Sequence, residues 1–170
     1  MALDAGELEA CYLRVEAGLF NALLRMLWDA PACQDVMQEC FLRLWSQRAR
    51  LDAGHLDALA WATALNLARN RLRWQRLRQW VGLELLEDAR TAAPDGIDAD
   101  LMTLRAGLAG LQPRDRELLL LSEYAGLDTR ELARLLDIAP GTVASRKRRA
   151  LQRLRELMKD GNDGDTAATH

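Results

Sequence analysis

Arg146, Lys147, Arg148 and Arg149 are four consecutive cations, and Thr142 and Ser145 place hydroxyls within a turn of them. Guanidinium and hydroxyl donors on one helical face suit phosphate oxygens and the edges of bases. A second set, Asn66, Asn70 and Arg73, recurs at helical spacing with Arg69 and Arg76 beside it. An asparagine amide pairs with a base edge in two ways and arginine holds phosphates, so this face can track a nucleic-acid strand. Trp74 and Trp80, set among Arg71, Arg73, Arg76 and Arg78, can stack on bases or cap a small core. A third set, Asp35, Gln38, Glu39 and Leu42, is related by i, i+3, i+4 and i+7. It makes an acidic, polar face with one apolar residue, suited to docking on a partner or simply to solvation.

The elements that must position these side chains are legible from local signals. Asp128 followed by Glu131 makes a capping box, and the helix it starts runs to about Leu136. Asp137, Ile138 and Ala139 form a turn, and Pro140 opens a second helix where its missing amide donor costs nothing. Leu132, Leu136, Ile138 and Val143 fall at spacings that pack the two helices crosswise, with small Ala133 at the closest approach. The opposite face of the second helix, with Thr142, Ser145, Arg146, Arg148 and Arg149, is left for DNA. The alternative is a solvated cationic helix on an ordinary bundle.

Upstream, helices are expected at about 7–28, 32–50 and 58–79, with Asp29, Ala30 and Pro31 interrupting the first pair and a loop at 51–57 around Gly54. Cys33, Met37, Cys40 and Leu44 make a buried stripe on the second, and Trp61, Leu65, Ala68 and Leu72 face inward on the third. Pro113, with Asp115 and Glu117 in the first turn, marks the second of four helices in the carboxy-terminal block. Abundant Leu and Ala, 5% aromatic residues and no sustained alternation of apolar and polar residues favour an all-α protein. The expected architecture is two small helical domains, 7–80 and 101–159, joined by an acidic linker at 81–100, with a disordered tail at 160–170.

The net charge of −2 conceals segregation along the chain. Residues 1–42 carry a balance of −5, residues 43–78 of +6, residues 79–100 of −5, residues 101–159 of +5 and the last eleven of −3. Two basic blocks separated by acidic ones suit a protein that touches DNA at two places. There are two His, one of them terminal, and no phosphate-binding Gly loop or nucleophile and base pair, so neither an enzyme nor a cofactor is expected. No cationic leader and no apolar run of about 20 residues is present, which points to a cytoplasmic protein without membrane insertion. Cys11, Cys33 and Cys40 read as small buried hydrophobes, with a metal or redox site as the alternative.

Three strings in this order, CQDVMQECFLRLW (33–45), AWATALNLARNRLR (60–73) and the segment 123–157, resemble bacterial RNA polymerase sigma factors of the extracytoplasmic-function group. The resemblance runs from about Leu13 to Met158. It implies that Asp35, Gln38, Glu39 and Leu42 dock on the clamp helices of the largest polymerase subunit. His55 in the loop, with Asn66, Arg69, Asn70 and Arg73, would recognise the minus-ten element and hold the unpaired non-template strand. The second domain, sigma region 4, would contact the flap of the second subunit and read the minus-thirty-five element with Pro140, Gly141, Thr142, Ala144, Ser145, Arg146, Arg148 and Arg149. The linker would thread through polymerase channels that otherwise hold nucleic acid, and an anti-sigma factor is an implied partner. Ala144, Lys147, Arg148 and the turn residue Asp137 depart from the family's usual pattern, and Gln34 replaces a common acidic residue. The rival expectation is a one-component helix-turn-helix regulator acting as a homodimer, which would bind palindromic duplex unaided.

Overall fold

The computed structural model describes residues 3–81 and 99–166, with side chains for 3–77 and 100–159. Seven α-helices are found there and no strand among the described residues: α1 (Ala5–Leu27), α2 (Ala30–Gln47), α3 (Leu56–Val81), α4 (Ala99–Ala109), α5 (Pro113–Tyr124), α6 (Thr129–Leu136) and α7 (Pro140–Thr166). They fall into two compact units, 1–91 and 92–170. Most of the expected linker, 82–98, lies outside the described residues, as do the side chain of Trp80 and residues 167–170.

The first unit is a bundle of α1, α2 and α3, each packed on the other two. Asp4 caps α1, accepting from the Glu7 amide at 2.8 Å while Glu7 reaches back to the Asp4 amide at 3.0 Å. That reciprocal box starts the helix at Ala5, earlier than the periodicity alone suggests. Trp28 ends α1 in the left-handed region, φ 56°, and Asp29 immediately caps α2. Pro31 therefore lies inside the first turn of α2, where it breaks no hydrogen bond. The helix stops at Gln47, and the segment to α3 tightens into short 3-10 turns at Arg48–Arg50 and Ala53–His55.

Cys11, Val15, Leu19 and Leu23 of α1 meet Cys33, Met37, Cys40 and Leu44 of α2, and Leu56, Trp61, Leu65 and Ala68 of α3, all buried. Each large side chain removed from water there contributes about 1.5–3 kcal/mol. Leu72, expected to face inward, is only half-buried because it lies near the end of the bundle contact.

In the second unit α7 is the central element, packed on α4, α5 and α6. Its buried side comprises Val143 and Ala150, with Leu108, Leu118, Leu121, Leu132 and Ala133 opposite. The α4 contact is close at Gly107: a Cβ there would come within 2.9 Å of Leu154 Cδ1 and 3.0 Å of Met158 Cγ, so those side chains would have to shift. The backbone of α7 remains helical to Thr166, where the sequence suggests an irregular tail from residue 160. Once a long packed helix exists, each further residue adds a hydrogen bond without a new nucleation cost, so the helix runs past Gly161 and Gly164.

Candidate nucleic-acid interface

The turn between α6 and α7 is built as its residues dictate. Asp128 accepts from the amides of Arg130 and Glu131 at 2.7 and 2.8 Å, and Glu131 closes the box on the Asp128 amide at 2.7 Å. Those bonds, the Glu131 amide foremost, hold the Asp128 carboxyl below its ordinary value. Asp137 then turns the chain at φ 53°, and the Ile138 amide returns to the Ala133 carbonyl at 3.0 Å. Leu132 and Val143 are buried at the crossing while Leu136 and Ile138 are half-buried.

This turn sends α7 out with Gly141, Ala144, Arg148 and Arg149 exposed and Thr142 and Ser145 half-exposed. The Ser145 hydroxyl donates to the Thr142 carbonyl at 3.1 Å, so its oxygen stays open to a donor. Arg146 departs from this face: its Nε lies 3.0 Å from Asp115 Oδ1 of α5 in an ion pair. Lys147 is half-buried.

In the first unit, Asn66, Asn70, Arg73 and Arg76 are exposed along α3, and Arg69 donates to Asn66 Oδ1 at 2.7 Å. Trp74 is 60% exposed, so it caps no core and is available for stacking. A hollow of about 200 Å³ between α2 and α3 is lined by Arg43, Gln47, Leu59, Thr63 and Asn66. His55 stands in the adjoining turn, its side chain 82% exposed and its Nδ1 3.6 Å from Asp52. Arg14 of α1 donates twice to Asp57, at 2.7 and 2.8 Å, fixing the start of α3. The Arg14 guanidinium holds the Asp57 carboxyl below its usual range.

Asp35, Gln38, Glu39 and Leu42 are all exposed on α2, Leu42 by 59%. Asp35 pairs with Arg71 at 3.4 Å and Glu39 with Arg43. Beside this face the α1–α2 surface carries aromatics that the sequence periodicity did not single out. Tyr12 and Phe41 meet edge to face, centroids 5.0 Å apart, between two hollows of about 510 and 380 Å³. Leu8 and Trp45 line the smaller hollow. Phe41 and Trp45 are four residues apart and off the Cys33, Met37, Cys40 and Leu44 register, a signal that could have found them.

The three cysteines are buried and free, and burial pushes each thiol up to about 12. Among the described residues no three His, Cys, Asp or Glu side chains are grouped to hold a metal ion. No described helix is long and apolar enough to cross a membrane.

Comparison with known proteins agrees with this anatomy. The pattern of sigma-70 region 2 matches residues 11–78, and that of sigma-70 region 4 matches residues 101–154. The chain is 31% identical over 164 residues to the ECF RNA polymerase sigma factor SigL of Mycobacterium tuberculosis, covering 94% of this chain and 93% of that one. It is 33% identical over 140 residues to the RNA polymerase sigma factor CarQ of Myxococcus xanthus, covering 80% of each. The sigma factor RpoE of Bartonella quintana, solved with the anti-sigma factor NepR, shares the fold at a TM-score of 0.69 and 23% identity, over 87% of this chain and 94% of that one.

Proposed function

The chain belongs to the ECF RNA polymerase sigma factors, built from sigma-70 regions 2 and 4, and on that premise we propose how its surfaces divide the work of promoter recognition. It binds core polymerase and promoter DNA and directs promoter-specific transcription. The acidic face at Asp35, Gln38, Glu39 and Leu42 docks on the clamp helices of the largest subunit. The neighbouring groove at Tyr12, Phe41 and Trp45 supplies the apolar area that a polar face alone lacks.

His55, Asn66, Arg69, Asn70 and Arg73 hold the separated non-template strand at the minus-ten element. The hollow beside Asn66 accepts one unstacked base, with Trp74 offering a stacking surface. Opening follows from differential binding: this face binds single strand better than duplex, offsetting unstacking of a few kcal/mol. The α7 face of Pro140, Gly141, Thr142, Ala144, Ser145, Arg148 and Arg149 enters the major groove at the minus-thirty-five element, while region 4 contacts the flap. The acidic stretch 79–100, with a balance of −5, suits a polymerase channel that otherwise holds nucleic acid.

The observation that carries this account is that Asp35, Gln38, Glu39 and Leu42 on α2 and Asn66, Asn70 and Arg73 on α3 stand exposed on one bundle whose core uses none of them. The protein makes and breaks no bond itself, works in the cytoplasm with polymerase and, by analogy with the RpoE complex, is held in check by an anti-sigma factor. The test is co-purification with core polymerase. Retention of the chain by core enzyme is expected, and its absence at micromolar concentrations would contradict the account.

A further inference from the structure

The geometry points to Arg146 as a positioning residue that holds the recognition helix on α5, and not as a contact to DNA. This rests on the proposed role of α7 at the minus-thirty-five element. Arg146 lies three residues after Val143 and four before Ala150, both buried, so it belongs to the edge of the inward stripe of α7. Gly141, Ala144, Arg148 and Arg149 occupy the outward side.

The partner is placed to match. Asp115 is the third residue of α5, in a first turn where a carboxylate is favoured, and its own amide donates to the Gln112 carbonyl at 3.0 Å. Its Oδ1 lies 3.0 Å from Arg146 Nε, and the two side chains are only 29% and 28% exposed. The side chains of the Arg153–Glu156 pair further along α7 are 59% and 48% exposed by comparison. A half-sheltered pair that joins two helices is screened less than a surface pair within one helix.

Two consequences follow for DNA reading. A guanidinium already neutralised by a carboxylate releases few counterions on approaching phosphate, so the run of four cations counts as three, with Arg148 and Arg149 exposed and Lys147 half-buried. The pair also fixes the tilt of the first turns of α7, and a small tilt moves every donor on the base-facing side together. Arg146 therefore governs affinity for the promoter through geometry, with no share in its salt dependence.

The experiment uses holoenzyme reconstituted from core polymerase and the full chain, with a duplex promoter fragment from which the unmodified holoenzyme initiates. Binding is measured across a salt series for Arg146→Gln, Asp115→Asn, Arg149→Gln and the exchanged pair Asp115→Arg with Arg146→Asp. Arg146→Gln and Asp115→Asn are each expected to weaken binding about three- to tenfold with the slope of log K against log salt unchanged. Arg149→Gln should lower that slope by about one. The exchanged pair should restore binding to within about twofold of the unmodified chain. A slope reduced by about one in Arg146→Gln, together with an Asp115→Asn variant that binds normally, would overturn the assignment. Urea unfolding of the free chain needs neither polymerase nor promoter: the two single substitutions should be non-additive in the double variant, and strict additivity would equally overturn it. Failure of the sigma account appears separately, as an absence of initiation by the unmodified chain.

Discussion

Asp57 shows how much a single side chain can fix in a small bundle. It takes two hydrogen bonds from Arg14, ties α1 to the first turn of α3, and so sets where α3, the helix proposed to hold the open strand, begins. Its pKa is depressed in the fold, first by the Arg14 hydrogen bonds. A depressed carboxyl contributes stability that is fully present above its unfolded value, about 3.9, and lost as pH falls through the lower folded value. Thermal melting from about pH 5 to pH 2 should therefore show a smaller acid loss in Asp57→Asn than in the unmodified protein; equal losses would contradict the role. The cysteines behave oppositely, because burial holds their thiols near 12 and out of reach. Iodoacetamide at pH 8 should leave the native chain unlabelled and modify all three thiols in urea, whereas one fast-reacting thiol in native protein would refute the inert assignment. At this scale the buried stripe of α2 was legible because apolar residues recur at helical spacing. Arg146 was not, because sequence spacing shows that it flanks the core but only coordinates show the carboxylate it meets.

At the scale of elements, capping residues set the helix boundaries. The box at Asp128 and Glu131 and the opening at Pro140 stand as the sequence suggests, whereas α1 starts at Ala5, ahead of its apolar periodicity, on the equivalent box at Asp4 and Glu7. The aromatic groove was hidden for a different reason. Tyr12 and Phe41 come from separate helices, and only their packing brings the rings together. Asp137 carries a local cost that the fold tolerates: a residue with a Cβ sits at φ 53° between α6 and α7. Asp137→Gly should relieve it, stabilising the second unit by roughly 0.5–1 kcal/mol and raising its melting temperature by a few degrees. The side chain is exposed, so no packing is lost; a lower melting temperature would mean the carboxylate itself supports the turn.

For the whole molecule, the alternation of charge along the chain corresponds to a division of surfaces. The acidic amino-terminal stretch includes the α2 face proposed to dock on polymerase, the basic block that follows supplies α3, and the second basic block supplies α7. Reversing Asp35 and Glu39 to Arg should abolish co-purification with core polymerase while leaving both units folded, since neither side chain is part of the core. Retained co-purification by a folded variant would move the docking surface elsewhere. The central claim, that this chain redirects polymerase to its own promoters, is tested most directly by transcription in vitro. Purified core polymerase is supplied with a promoter library, with and without the chain, and start sites are mapped. The account predicts a discrete new set of start sites preceded by a shared pair of elements; start sites unchanged on every template would contradict it.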